Sequence, residues 1–428
     1  MASNVALLAL LASFLLAAPQ AAYSDRRGFR ATMTRRTETT TTAINFTRAA
    51  LKSYARLSML AARRLGAAAS AGCAQTPLQM DGGYTEYDMT ISIGTPPLKL
   101  SALADTGSDL IWLKCGACKN CTPQGSPSYF PNRSSSFSPL PCSARFCRDV
   151  RGRCAGAGAG ARKCHYTYRY GLGLDSHYYT QGFLGGETFT LGSGDVARGV
   201  GFGCTTSSEG YFGSGSGVVG LGRGPLSLVW QLGAGAFSYC LPSDPAKSSP
   251  LLFGPAAALS SGSGAAGIQT TPFLPNIPDD YSVDLQRITI GTAATPGPGT
   301  AGYGTAFDSG TTLTYLAEPA YTLAKAAFLN QTNLPRAAGR DGYEVCFRTS
   351  GGGGDDRVPK MTLHFHGADM VLPVENYFVE MDKGVGCWIV QKSPSLSIIG
   401  NYMQMNFHIR YDLDKAVLSF QPANCDSL

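Results

Sequence analysis

Charged side chains make up only 15% of this 428-residue chain, and it holds five His and three Trp. With 44% apolar residues, that excludes a disordered polyelectrolyte and suits a globular protein large enough for two cores. The net charge of +6 does not describe a nucleic-acid face either. Residues 25–72 carry nine Arg and one Lys against Asp25 and Glu38, a local +8 that leaves −2 on the remainder. The basic piece is either an intramolecular partner of the acidic body or a solvated linker.

Long apolar runs are also missing. VALLALLASFLLAA, residues 5–18, is too short to span a bilayer and is followed by small residues at 18–22, so residues 1–24 are expected to be a cleaved signal peptide. No second run or hydrophobic tail follows, which predicts no stable membrane anchor. Several catalytic signatures are absent: Gly-x-Ser-x-Gly, His-Glu-x-x-His and the P-loop. His165, His177, His364, His366 and His408 form no recognisable ligand set, and His364-x-His366 reads as a structural or surface pair, so no metal is expected. Gly215-x-Gly217-x-x-Gly220 matches a dinucleotide fingerprint, but no helix with an acid about 20 residues on follows it. No cofactor is expected.

What is abundant is Gly (52), Pro (25) and Cys (13), with many Thr, Ser, Tyr and Phe, which favours short strands and turns and a mainly β chain. Twelve of the cysteines follow Cys73 and allow six disulfides. Cys115-x2-Cys118-x2-Cys121 could open an iron–sulfur or zinc site, but no fourth Cys stands at position 125 and the secretory route is oxidising. Sequons at Asn45, Asn120, Asn132 and Asn330 fit that route as glycosylation sites.

Before the cysteine-rich part, NFTRAALKSYARLSMLAARRL predicts a basic amphipathic helix with Leu51, Tyr54, Ser58, Ala61 and Leu65 on one face. Such a helix suits either a membrane surface or a cap over an acidic cleft, and the secretory context favours the cap. The Ala/Gly/Ser stretch 66–72 offers a place to cut. YDMTISIGTPP is a strand and turn leading to ALADTGSDLIWLKC, residues 102–115. A cysteine-rich loop region spans 115–164, and residues 165–192 read as a hairpin with a Gly-rich tip. The small-residue stretch at 251–267 suits a linker between lobes. The plan then repeats, through GTAFDSGTTLTYL at 304–316 and a helix opened by Glu318-Pro319.

The repeat carries the chemistry. Each half has an apolar strand ending in Asp, a small hydroxyl residue and Gly: Asp105-Thr106-Gly107-Ser108 and Asp308-Ser309-Gly310-Thr311. Each later has an apolar pair before Gly, Val218-Val219-Gly220 and Ile398-Ile399-Gly400. One such Asp is an ordinary turn. Two related by a pseudo-twofold axis would share one proton, because like charges at close range cannot both ionise comfortably. The paired carboxylates of aspartic proteases are a well-established instance of that state. The ionised carboxylate then acts as general base on a water and the protonated one as acid toward the carbonyl under attack.

On these residues, the dense cysteines after the first Asp and SIIGNYMQMNFHIRYDLDKAVLSF, the chain resembles the pepsin-like aspartic endopeptidases of the plant nepenthesin type over about residues 84–426. The resemblance implies a bilobal pepsin-like acid protease fold, mainly β, with two pseudo-twofold-related lobes around a central cleft. It implies Asp105 and Asp308 as catalytic, Thr106 and Ser309 bracing the two loops, Ser108 and Thr311 bonding the outer carboxylate oxygens, and Gly107 and Gly310 in the turns. It also implies Tyr170 and Gly171 as the flap with Trp112 as the tyrosine's partner, and an extended polypeptide as substrate. The group usually continues its flap as Tyr-Gly-Asp-Gly-Ser, whereas Tyr170-Gly171 runs on as Leu-Gly-Leu-Asp-Ser-His-Tyr-Tyr.

The expected organisation is a signal peptide (1–24), a basic propeptide and linker acting as intramolecular inhibitor (25–83), an N-terminal lobe with a cysteine-rich insertion (84–255) and a C-terminal lobe (256–428). The expected product is a monomer of the secretory pathway, extracellular (apoplast-like) or vacuolar. The alternative is a catalytically silent inhibitor or binding protein on the same scaffold. Nine of the twelve cysteines precede the linker and three follow, so full pairing requires a bridge between lobes. Cys346 with Cys387 is the local pair, which leaves Cys425 to reach Cys204 or Cys240.

Overall fold

The computed structural model describes residues 28–36, 46, 49–50, 52–54, 56–57, 60, 86–118, 120–121, 126–154, 163–170, 178–192, 194–210, 215–260, 267–300, 303–350 and 357–427. It is mainly β, arranged as two lobes joined by one sheet. The centre of each lobe is a parallel pair, and the two pairs match. In the first, Gly217–Gly220 runs parallel to Leu98–Asp105, with Val218 opposite Leu103 and Gly220 opposite Asp105. In the second, Ser397–Gly400 runs parallel to Thr305–Asp308, with Gly400 opposite Asp308. All four residues of each apolar-apolar-Gly strand are buried, the pattern of a strand covered on both faces. The apparent dinucleotide fingerprint is therefore a core strand.

The lobes meet where Ala236–Cys240 pairs antiparallel with Phe407–Asp412. On the other side of that junction, Phe29–Arg36 lies between Ser248–Phe253 and Glu86–Ile93 and pairs antiparallel with both. Its Ala31 and Met33 are buried, and so are Tyr87, Met89, Ile91 and Ile93 of the neighbouring strand. A strand of the basic N-terminal segment is thus an interior member of the sheet that joins the lobes.

The cysteine-rich region is tied by Cys115–Cys204, Cys118–Cys121, Cys142–Cys154 and Cys147–Cys164, so the three closely spaced sulfurs are held in disulfides. Glu187, buried on the strand Tyr178–Leu191, fastens it further: its carboxylate accepts from the hydroxyls of Tyr129, Ser134 and Ser136 and from the Thr188 amide. Burial of an acid is tolerated because four donors replace its water. In the second lobe Cys346 pairs with Cys387 across adjacent strands. Cys425 reaches back to Cys240 and not to Cys204, whose partner is Cys115. Asn120, Asn132 and Asn330 are exposed or half-exposed, and Asn45 lies outside the described residues.

The Cys240–Cys425 bridge closes a sequence separation of 185 residues across the lobe junction. Replacing both by Ser should lower unfolding stability by about 2–4 kcal/mol. The denaturant midpoint measures this, and an unchanged midpoint would show that the joining sheet alone fixes the two lobes.

Candidate active site

Asp105 and Asp308 each end the first strand of a parallel pair, and the turns after them are held in the same way. The Gly107 amide donates to Asp105 Oδ1 at 2.9 Å, and the Gly310 amide donates to Asp308 Oδ1 at 2.9 Å. Ser108 Oγ donates to Asp105 Oδ2, and Thr311 Oγ1 to Asp308 Oδ2 at 2.5 Å. The loops then grip each other. The Thr106 amide donates to Ser309 Oγ (3.0 Å) and the Ser309 amide to Thr106 Oγ1 (2.8 Å). Thr106 Oγ1 donates to the Phe307 carbonyl (3.2 Å), and Ser309 Oγ to that of Ala104 (2.8 Å). Every bond in one half has its counterpart in the other.

The glycines bring the acids together. A Cβ on Gly107 would stand 2.8 Å from Asp308 Oδ1, and one on Gly310 would stand 2.6 Å from Asp105 Oδ1. Each turn therefore lies against the opposite carboxylate, and no other residue fits at either place. The spacing between Asp and Gly in sequence is thus a packing requirement. Both aspartates are at most 1% exposed.

Trp112 Nε1 donates to the Tyr170 hydroxyl at 2.8 Å, which joins the tip end of the hairpin arm Cys164–Tyr170 to the strand following Asp105. Burial pushes the Tyr170 phenol well above its ordinary value, so it remains a neutral hydroxyl. Gly171 and the rest of the altered tip, residues 171–177, lie outside the described residues.

One residue that sequence reading missed sits at the centre. Between 46 and 60 the described residues of the basic segment are helical, and Arg56 extends from that helix between the aspartates. Its Nη2 donates to Asp105 Oδ1 and, at 3.1 Å, to Asp308 Oδ1, while Nε donates to Asp308 Oδ2 at 2.8 Å. Burial lowers the affinity of the guanidinium for its proton, but the two carboxylates more than reverse this and hold it charged. Burial raises both acids, and the Arg56 charge draws both down. The balance leaves Asp105 above the ordinary carboxylate range, with the charge of Asp308 adding to the rise, and Asp308 below it, with help from Thr311 and the Gly310 amide.

Of the predicted face only Tyr54 is described, and it is 52% exposed, while Leu51, Ser58, Ala61 and Leu65 lie outside the described residues; the described residues Phe46, Ala49, Lys52, Ser53, Leu57 and Leu60 are buried. Apolar periodicity misled because two cations belong to the inward face: Lys52 pairs with Glu86, and Arg56 with the aspartates. The signal available was an Arg on a basic helix in a chain with two buried acids to neutralise. Phe46 packs edge-on against Tyr343 and Tyr402, the Tyr343 and Tyr315 hydroxyls donate to the carbonyls of Phe46 and Ala50, and the Leu313 amide donates to Ser53 Oγ.

Residues 87–255 match the family model described as "Xylanase inhibitor N-terminal" and residues 280–422 the one described as "Xylanase inhibitor C-terminal". The chain is 39% identical over 359 residues to aspartic proteinase nepenthesin-1 of Nepenthes gracilis, covering 80% of this chain and 79% of the relative. It is 34% identical over 474 residues to aspartyl protease 37 of Oryza sativa subsp. japonica, covering 99% and 100%. Among solved structures, basic 7S globulin from soybean shares the fold, with a TM-score of 0.60 at 19% identity, covering 80% of this chain and 95% of that one. With its two matching Asp turns and its bilobal pepsin-like fold, the chain belongs to the plant aspartic proteinases of the nepenthesin type and is a peptidase.

Proposed function

We propose that the protein is the zymogen of a secreted aspartic endopeptidase in which Asp105 and Asp308 are the catalytic pair and the segment 25–83 is an intramolecular inhibitor. The observation that carries this reading is the guanidinium of Arg56 bonded to both carboxylates at once. It stands where the oxygens of a water and of a scissile carbonyl would need to be.

With Arg56 withdrawn, the two inner oxygens lose their cation and the pair shares a proton. The ionised member then takes a proton from a water held between them, and the protonated member hydrogen-bonds the carbonyl oxygen of an extended peptide. Water attacks to give a gem-diol, and a proton passes to the leaving nitrogen. Ser108, Thr311 and the two Gly amides keep the carboxylates in plane throughout. No step calls for a cofactor.

Secretion is supported by the apolar leader, the six disulfides among the described residues and the accessible sequons. No helix among the described residues is long and apolar enough to cross a membrane. The silent binding protein draws on the inhibitor descriptions of the two family models, and the intact aspartates, glycines and hydroxyls weigh against it.

Asp105→Asn and Asp308→Asn should each lower cleavage of a denatured protein by at least about a hundredfold while circular dichroism stays unchanged. Persistent turnover in either variant would sink the mechanism. Inhibition should depend on pH in a defined direction. Asp308 is held below its ordinary value, so its attraction for Arg56 is complete above about pH 4 and is lost as pH falls through the lowered value. The precursor should therefore stay silent above that window and shed residues near 66–83 below it, as mass spectrometry across a pH series would show. Arg56→Gln should give a precursor that cleaves a reporter peptide at about pH 5, where the wild-type precursor does not. A variant as silent as the wild type would show that Arg56 is not the inhibitory contact.

A further inference from the structure

The disulfide-tied unit between residues 142 and 170 concentrates one sign of charge. It carries six Arg and Lys163 against Asp149, a net +6 within a body whose total is −2, which leaves −8 on the rest of that body. Six of these cations are described, Arg145, Arg148, Arg151, Arg153, Lys163 and Arg169, and all six are exposed. A surface that only has to keep a protein soluble intersperses the two signs, because crowded like charges repel. Here the acids are placed elsewhere.

The fold brings the cations to one side. The helix Arg145–Asp149 ends with the Arg151 amide donating to the Arg148 carbonyl at 3.0 Å and the Gly152 amide to that of Cys147 at 2.8 Å. Gly152 lies against the Cys147–Cys164 bridge, where a Cβ would stand 2.3 Å from Cys164 Sγ, and Arg151 beside it takes a left-handed φ of 52°. Arg153 then stands opposite His165 in the antiparallel pair of Arg153–Cys154 with Cys164–Tyr170. Along the latter strand, exposed His165, Thr167 and Arg169 alternate with buried Cys164 and Tyr166, so Arg169 shares the outward face with His165. Arg145 pairs with Asp149 at 3.6 Å, whereas the guanidinium groups of Arg148, Arg151 and Arg153 form no ion pair among the described residues.

We propose that this outward face binds an acidic polysaccharide, a polymer of linked uronic acids whose carboxylates pair with the arginines. A guanidinium fork meets a carboxylate with two hydrogen bonds at once, and five of the six exposed cations are Arg. Their spread suits a chain with repeated charges. Arg169 is four strand residues, about 13 Å, along from the Arg153–His165 pairing, which is too far for one small anion to bridge. Trp230, 46% exposed, adds a ring beneath Arg145 at 5.0 Å, and the flat C–H face of a sugar packs on such a ring. The inner side of the same hairpin arm meets Trp112 through Tyr170, so a polymer on the outer side leaves the cleft side free. Binding there does not depend on the catalytic reading of Asp105 and Asp308.

The full-length chain should be retained on immobilised polygalacturonate at low salt and released as salt rises, while neutral dextran does not hold it. Arg148→Gln, Arg151→Asn and Arg153→Gln combined should weaken that affinity at least about ten-fold, with circular dichroism unchanged; Asn is chosen at 151 because it accepts the left-handed backbone. Lys247→Gln, Lys360→Gln and Lys383→Gln combined change the net charge equally at exposed positions outside the unit, and should shift affinity less than about two-fold. Trp230→Ala should weaken binding to polygalacturonate about three-fold and leave binding to poly-glutamate unchanged. Equal losses in the two triple variants, retention on dextran, no loss in Trp230→Ala, or tighter binding to poly-glutamate or to phosphatidylserine vesicles than to polygalacturonate would each overturn the proposal. If the arginine triple variant fails to fold, Arg148→Gln with Arg153→Gln, which leaves the turn intact, decides it by the same comparison.

Discussion

Two carboxylates buried within reach of each other are the condition the rest of the molecule has to satisfy. Isolated, either would be costly, and together they repel. The fold answers with duplication. Each acid receives one backbone amide and one hydroxyl from its own turn, and each turn presents a glycine to the other acid. The parallel strands place the turns, the Thr106–Ser309 bonds lock them, and the joining sheet holds the two lobes in the register this requires. Neutralisation comes from outside the duplicated halves, through Arg56.

Much of this could be read from the chain. The acid-hydroxyl-glycine turns and the apolar-apolar-Gly strands rest on short patterns whose physical demands are local, the Cys346–Cys387 pair comes from the cysteine distribution, and Trp112 beside Tyr170, 58 residues apart, comes only from the family resemblance. Cysteine parity required a bridge between lobes but left open which residue Cys425 meets, since that depends on where two distant strands end. The inward face of the N-terminal helix was not legible, because hydrophobic periodicity gives no weight to a cation whose partner is a buried carboxylate 49 or 252 residues away.

The N-terminal segment contributes in two ways. Its helix meets the C-terminal lobe through Phe46, Ala50 and Ser53 and reaches the aspartates through Arg56, so one element spans from a peripheral aromatic pocket to the centre of the cleft. Its strand is part of the architecture. The contact with both aspartates and an interior strand of the joining sheet therefore come from one stretch of chain.

That strand, Phe29–Arg36, separates Ser248–Phe253 from Glu86–Ile93 by the width of one chain. Taking it out would leave two open edges about 10 Å apart, each a ladder of amides and carbonyls without partners. Such edges are templates for pairing with another extended chain, so whatever fills the slot bears directly on the solubility of the protein.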